Sequence, residues 1–405
     1  MVQRPRSAGQ AGKSGDFLIR RSRKTRSSQN SQSCTTQIVL RLPLTSRAFC
    51  WNSSQRAALI DFRDYPALVA AAKYGLGEPV IPVVVADAEA DRVIGLARFD
   101  HITGLLSESL IAGVVEMNEP NRRNLTESWH QELRACILLE ALIVRTAAVF
   151  DEAGVIFRLT KGAAVAHIDY PNPSQRTFGD VDLIIHPDSW ELAVTTLVAG
   201  GCRRESTALP YDYDRRYGKG ATLTTPEGLE LDLHRRFAIG RFGVRSEMSE
   251  LFVSTDGIIL AGRSIPVLSP EHRLLHACFH ASLGGFRRLR AFRDVAQLLL
   301  LTKVDHLETY SIAQRWKAEA VVTAAILETW QRLGLARDHP IFAEAKERQV
   351  SRADARALSV FAEHQPFRRQ ALTAVPVLGP IGAPRYLWSL FSYRFARSRV
   401  GESSS

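Results

Sequence analysis

Cysteine is scarce in this chain of 405 residues, and Cys34, Cys50, Cys136, Cys202 and Cys278 are odd in number with no Cys-x-x-Cys pair. That spacing argues against a disulfide framework and a cysteine-based zinc site, and it makes a reducing cytoplasm the expected setting. Long apolar runs are missing too. No window approaches the roughly 20 residues that span a bilayer. "FLIRRSRK" near the start has three apolar residues before basic ones, too few for a signal peptide. The first 37 residues almost lack acid: Asp16 stands alone against Arg4, Arg6, Lys13, Arg20, Arg21, Arg23, Lys24 and Arg26. Most of the formal charge of +10 therefore sits in a Ser/Gln/Arg-rich tail with little to bury, which is expected to be disordered. The rest of the chain shows no basic stripe, so nucleic acid is not the favoured partner. Internal repeats are absent.

What is present is 45% hydrophobic residues, enough to bury a sizeable core. Gln55 to Ala112 has apolar residues at helical spacing, although "VIPVVV" reads equally well as a short strand. "NEPNRRN" (118–124) reads as a polar break. The segment after it reads as one long helix, with Thr126 as cap and Gly154 as stop. "VIFRLT" (155–160) is β-branched and short, a buried strand that ends at Lys161-Gly162. A brief helix and a turn-rich loop deliver the chain to "QRTFGDVDLIIHP" (175–187), and an amphipathic helix runs from Asp188 to Gly200. "ATLTTPEGLELDLHRRF" reads as a hairpin about "TPEG". From Ser269 the pattern is helical again, to a stop at Gly334. The expected organisation is a disordered basic tail (1–37), an N-terminal helical region (38–123), an α/β core (124–268), a helical domain (269–350) and a basic aromatic tail (351–405). The fold class is α+β: a small mixed sheet flanked by helical domains.

Asp180 and Asp182 alternate with Val181 at the mouth of a buried strand, so both carboxylates share one face about 7 Å apart. Two like charges there repel and gain little from burial, and a divalent cation between them removes that penalty. On the hairpin, Glu230, Asp232 and His234 share the face opposite Leu229, Leu231 and Leu233, which supplies a third acid. At Lys161-Gly162 a glycine lets backbone N–H groups approach a phosphate, and the start of a helix adds positive potential. Oxygen ligands of this kind suit Mg²⁺, usually held by carboxylates together with substrate phosphates. The set fits nucleotidyl transfer with two metal ions.

"KGAAVAHIDYPNPSQRTFGDVDLII" followed by "LELDLH" resembles the uncharacterised nucleotidyltransferase family of the DNA polymerase β-like superfamily. "ARFDHITGLL" resembles that family's upstream helix, and "LLHACFHASLGGFRRLRAFRDVAQLL" its downstream helix pair. The resemblance covers roughly residues 55 to 300. It implies that Asp180, Asp182 and Asp232 are catalytic and hold two Mg²⁺ ions, with Asp232 closest to the attacking hydroxyl. It implies that Lys161 and Gly162 hold the triphosphate and that Arg176 clamps phosphate oxygens, beside Gly179. NTP, with ATP the expected donor, would give its nucleoside monophosphate to an unidentified acceptor. The loop 203–220, rich in Arg and Tyr, matches no family pattern and is a candidate for acceptor specificity.

Outside that set, His234 is a candidate to contact a phosphate or orient Asp232. His276 and His280 lie four apart on a helix without a third zinc ligand, so a face closing the nucleotide pocket is the favoured reading, with His280 a nucleotide-binding candidate. Arg287, Arg288, Arg290 and Arg293 read as a solvated or acid-paired face, with Asp294 pairing to them. "YLWSLFSYRF" is expected to pack back on the helices. The expected activity is Mg²⁺-dependent nucleotidyl transfer in the cytoplasm. A nucleotide-binding or scaffold protein without turnover, a toxin-like transferase acting on tRNA or a protein, and a basic-tailed nucleic-acid binder are the alternatives.

Overall fold

The first and the longest of the N-terminal helices each begin at a proline in the first turn. The computed structural model describes residues 62–392, apart from 206–208, 210 and 303; the basic tail expected over 1–37 and the last stretch of the C-terminal tail lie outside the described residues. Helices α1 (Pro66–Lys73), α2 (Asp87–Phe99) and α3 (Thr103–Ile111) are followed by α4 (Glu119–Ala153). Between them β1 (Val83–Val84) and β2 (Val115–Glu116) pair in parallel, so "VIPVVV" contributes a strand. The break expected at 118–124 is instead the start of α4. Asn118 is its cap, accepting from the Asn121 amide at 2.9 Å, with Pro120 in the first turn. Thr126 lies inside the helix, its hydroxyl bonded back to the Arg122 carbonyl at 2.9 Å. Gly154 does end α4, in the left-handed conformation at φ 72 that glycine adopts without strain.

The α/β unit follows: β3 (Phe157–Thr160), α5 (Lys161–Ile168), β4 (Val181–Ile185), α6 (Trp190–Ala199), β5 (Arg203–Arg204), α7 (Tyr211–Tyr217), β6 (Gly220–Thr224) and β7 (Glu230–His234). Its five strands run in the order β3-β4-β7-β6-β5. β4 and β7 are parallel and the other pairs antiparallel, which makes the sheet mixed. All five residues of β4 are buried, as expected of a central strand covered on both faces. Leu183, Ile185, Leu223, Leu231 and Leu233 share one apolar cluster with Leu139, Leu142, Ile143 and Phe150 of α4.

A short helix α8 (Gly240–Gly243) and a hairpin of β8 (Gly257–Leu260) and β9 (Arg263–Pro266) lead into α9 (Pro270–Leu283), capped by Ser269. Helices α10 (Leu289–Leu300), α11 (His306–Arg315), α12 (Glu319–Leu333), α13 (Pro340–Glu347), α14 (Arg352–Ala362), α15 (Phe367–Leu372) and α16 (Gly379–Phe391) complete an α+β protein. Gly334 ends α12 at φ 61. Residues of α1–α3 and of α9–α14 fall in a single apolar cluster. In α16, Tyr386 and Leu390 pack inward while Trp388 stays 70% exposed, so "YLWSLF" folds back by one face. No helix among the described residues is long and apolar enough to cross a membrane.

Two buried ion pairs tie the α/β unit to α9 and α10. Asp169 accepts from Arg273 through both oxygens, at 2.9 and 3.0 Å. Asp294 accepts from Arg176 at 3.0 and 3.2 Å and from the Tyr170 hydroxyl at 2.9 Å. Such forks are strong when both partners are present, and removing one leaves a buried charge unsatisfied. Asp169→Ala is expected to destabilise the protein by about 3–5 kcal/mol, read as a lowered urea midpoint at unchanged m. A loss below about 1 kcal/mol would show that the pair does not hold the two parts together.

Candidate active site

The register of β4 against β7 brings the acids together. Parallel pairing sets Asp182 beside Asp232, and Thr160 faces Asp182 from the other neighbouring strand. Asp232 is fixed by the Thr222 hydroxyl, which donates to it at 2.5 Å across the β6–β7 ladder. His234, two residues on and so on the same face, places Nε2 2.6 Å from the Asp182 carboxylate. Asp180 stands just before β4 and is partly exposed.

Lys161 occupies the strand–helix junction with φ 50, a left-handed backbone that a residue with a Cβ adopts only where its surroundings hold it there. Its ammonium bonds to Asp182 and lies 3.1 Å from His234 Nε2. Gly162 is required at the next position, because a Cβ there would come within 2.8 Å of the Phe178 Cβ. The electrostatics follow from this packing. Burial and then the charge of Asp182 push Asp180 up to about 6, although Lys161 opposes them. Burial alone would raise Asp182, but the Lys161 ammonium and the His234 hydrogen bond outweigh it and hold the carboxyl well below its ordinary range. Burial and Lys161 depress His234 to about 4, so the ring is neutral and its single Nε2 proton goes to Asp182.

Thr160, Lys161, Gly162, Arg176, Asp180, Asp182, His276, His280, Arg290 and Asp294 line one cleft between the sheet and α9–α10. Of the sequence-predicted residues, Lys161, Gly162, Arg176, Asp180, Asp182 and His280 thus share this cleft, and Asp232 and His234 adjoin it through Asp182, with two adjustments. Asp294 pairs with Arg176 rather than with the arginines near it in sequence, and Arg176 Nη1 goes to the Thr177 carbonyl at 2.9 Å. The guanidinium expected to clamp phosphate is therefore held inside the wall. The arginine run is the expected solvated or acid-paired face only in part, for Arg287 is exposed and Arg288 meets an acid. Arg293 is 1% exposed and bonds the carbonyls of Ala72 and Tyr74, while Arg288 faces Asp100 at 3.5 Å. His276 is buried and His280 half-buried, and the enclosure of both rings holds them neutral; His276 also packs edge-on against Phe237 at 4.6 Å.

Two cations stand out. Arg290 lines the cleft with no carboxylate partner among the described residues, its Nε buried and unbonded, and burial together with Arg176 lowers it to about 10. Lys219, directly before β6, is pushed down to about 8 by burial among neighbouring groups and by the Lys161 ammonium, although the residue keeps contact with solvent. Sequence reasoning gave Arg290 no distinct place within its run and missed Lys219. The one available signal was a lysine between two glycines opposite the acidic strand.

The donor set fits a divalent cation. One ligand atom each from Asp182, Asp232 and His234 lies within 4.8 Å of the others, and Asp180 adds charge that the protein alone does not neutralise. In comparisons with known proteins, the model of a family described as "Uncharacterised nucleotidyltransferase" matches residues 86–333. No curated protein matches the sequence. Among solved structures, ANT(2″)-Ia in complex with adenylyl-2″-tobramycin is similar at 13% identity and TM-score 0.32, over 45% of this chain and 98% of that one. An antigenic nucleotidyltransferase-like protein from Paracoccidioides brasiliensis is similar at 16% identity and TM-score 0.32, over 53% of this chain and 92% of that one.

The raised Asp180 carries a pH signature. Its folded pKa of about 6 lies above the ordinary 3.8, so the folded protein binds this proton more tightly than the unfolded chain. Stability from this group is therefore lost as pH rises from about 4 to 6 and stays lost above. In metal-free buffer at pH 7.5, Asp180→Asn should be more stable than wild type by about 1–2 kcal/mol, a figure discounted for its partial exposure. The gain should vanish below about pH 4. Urea denaturation with chelator checks both, and a less stable variant at pH 7.5 would contradict the repulsion.

Proposed function

This chain belongs to the uncharacterised nucleotidyltransferase family, and on that premise we propose that it moves a nucleoside monophosphate from an NTP, ATP in the first instance, to an acceptor hydroxyl in the cytoplasm. The observation that carries the reading is the β4–β7 register, which sets Asp182 beside Asp232 with His234 in reach of both and Asp180 close by. Asp180, Asp182 and Asp232 would hold Mg²⁺, two ions in all. Bound there, the cations would neutralise the carboxylates and lower the pKa of an acceptor hydroxyl.

The residues of the chain do the rest. Lys161 and the backbone at Gly162 take the triphosphate at the start of α5, and Arg290 offers the cleft's uncommitted guanidinium to phosphate oxygens. The acceptor oxygen bonds to the α-phosphorus as the bond to the β-phosphate oxygen breaks, and pyrophosphate leaves. Asp232 lies nearest the acceptor and receives the hydroxyl proton. His234 keeps Asp182 ionised and oriented. Arg176, held by Asp294, positions the loop that carries Gly179 and Asp180. His280 lines the nucleotide side of the cleft from α9.

An α-phosphate-labelled NTP, incubated with Mg²⁺ and cell extract, tests this directly. Wild type should label an acceptor, and Asp182→Asn or excess chelator should reduce that by about 10³-fold or more, the order seen when a principal catalytic group is lost. NTP binding without transfer by wild type would favour a binding protein over an enzyme, and no Mg²⁺-dependent binding at all would remove the site assignment.

A further inference from the structure

A second concave site lies past the far ends of β4 and β7. Trp190, Arg215, Arg216, Arg235 and Arg236 line it, with Glu191 and Glu247 the acids present. Arg235 follows directly on His234, and Arg215 and Arg216 come from α7, in the Arg/Tyr-rich segment that matched no family pattern.

Two of the four guanidinium groups, those of Arg235 and Arg236, are tied to backbone carbonyls rather than to acids. Arg235 stacks over the Trp190 ring at 4.1 Å and donates to the Arg215 carbonyl. Arg236 donates to the carbonyls of Gly243 and Arg216, each at 3.3 Å, and its Nε is buried without a partner. No carboxylate among the described residues lies within ion-pair distance of any of the four. Those bonds fix the Arg235 and Arg236 forks in place, with Glu191, Asp214 and Glu247 near enough to offset only part of the charge. Four cations against two acids leave an excess of two positive charges on one wall. A group of opposite charge would remove that penalty, and planar guanidinium forks match phosphate oxygens best.

We propose that this groove binds the phosphate monoester of the acceptor, so that the substrate receiving the nucleotidyl group is a small hydroxylated phosphate ester. The inference rests on the proposed function for its link to transfer. A dianion matches the excess charge. The four residues from Asp232 to Arg236 span at most about 14 Å when fully extended, which one such ester and the side chains at both ends can bridge. The groove also gives the 203–220 segment a role, since two of its arginines form one wall.

Calorimetric titration of the full chain with inorganic phosphate is the test. Wild type should bind it, and so should Asp182→Asn, in which the nucleotide site is disabled. Arg236→Gln and Arg215→Gln should each weaken binding at least fivefold; Arg215 is exposed, so its replacement remains informative if the buried Arg236 substitution fails to fold. Phosphate binding lost in Asp182→Asn but kept in Arg215→Gln would put the anion in the nucleotide cleft and overturn the proposal. Binding unchanged by either arginine substitution, or no binding, would overturn it equally. A parallel titration with a non-hydrolysable NTP and Mg²⁺ separates the two claims. NTP binding without phosphate binding keeps the proposed function and rejects the groove, and phosphate binding without NTP binding does the reverse.

Discussion

Repulsion among three carboxylates governs this structure. The β4–β7 pairing puts Asp182 and Asp232 side by side, and Asp180 precedes them by one turn of the pleat. No burial of apolar surface rewards that arrangement, and the strand cannot slip by a residue to relieve it. A slip would take Leu183 and Ile185 out of their apolar cluster with α4 and turn Asp182 into it. The apolar face of β4 therefore enforces the acid face. The protein meets the repulsion unevenly, giving Asp182 an ammonium and an imidazole, Asp232 a hydroxyl, and Asp180 little beyond the field of Lys161 and Arg290.

The cleft wall follows the same logic. Arg176 and Arg273 are buried beside the acids, and each is neutralised by an aspartate reached through a bidentate fork. Those pairs come in opposite senses, since one acid belongs to the α/β unit and the other to α10. The seam between sheet and helices is thus specified by charge as well as by apolar packing. Unpaired buried arginines would otherwise be strongly destabilising.

Much of this was legible in the sequence because strand periodicity is short-range. A period of two places Asp180 with Asp182 and Asp232 with His234 without knowledge of the fold, and Leu231 and Leu233 mark the opposite face. The strand–glycine–helix junction at Lys161 is equally local. What escaped depends on distance along the chain. Arg176 and Asp294 are 118 residues apart, so nothing near either residue indicates that the guanidinium is already committed. Arg290 looks like its neighbours until Arg288 and Arg293 are seen bonded to the N-terminal helices. The start of α4 was misplaced for another reason: a capping asparagine followed by Pro120 and exposed polar residues has the composition of a loop, and only the Asn118–Asn121 bond distinguishes them.

Lys161 connects these observations. Its ammonium now bonds Asp182, and only its remaining N–H donors are open to a phosphate. On the proposed function the lysine's single positive charge is shared between the triphosphate and Asp182, and Asp182 gains from a further cation. A divalent cation held by Asp182 and Asp232 would supply that charge and leave more of the lysine's for the phosphates. Cation and nucleotide should then bind more tightly together than apart, a coupling set by a single side chain. The φ of 50 at Lys161 fits this role, for a strained backbone at the junction holds the side chain between its two partners instead of letting it relax along α5.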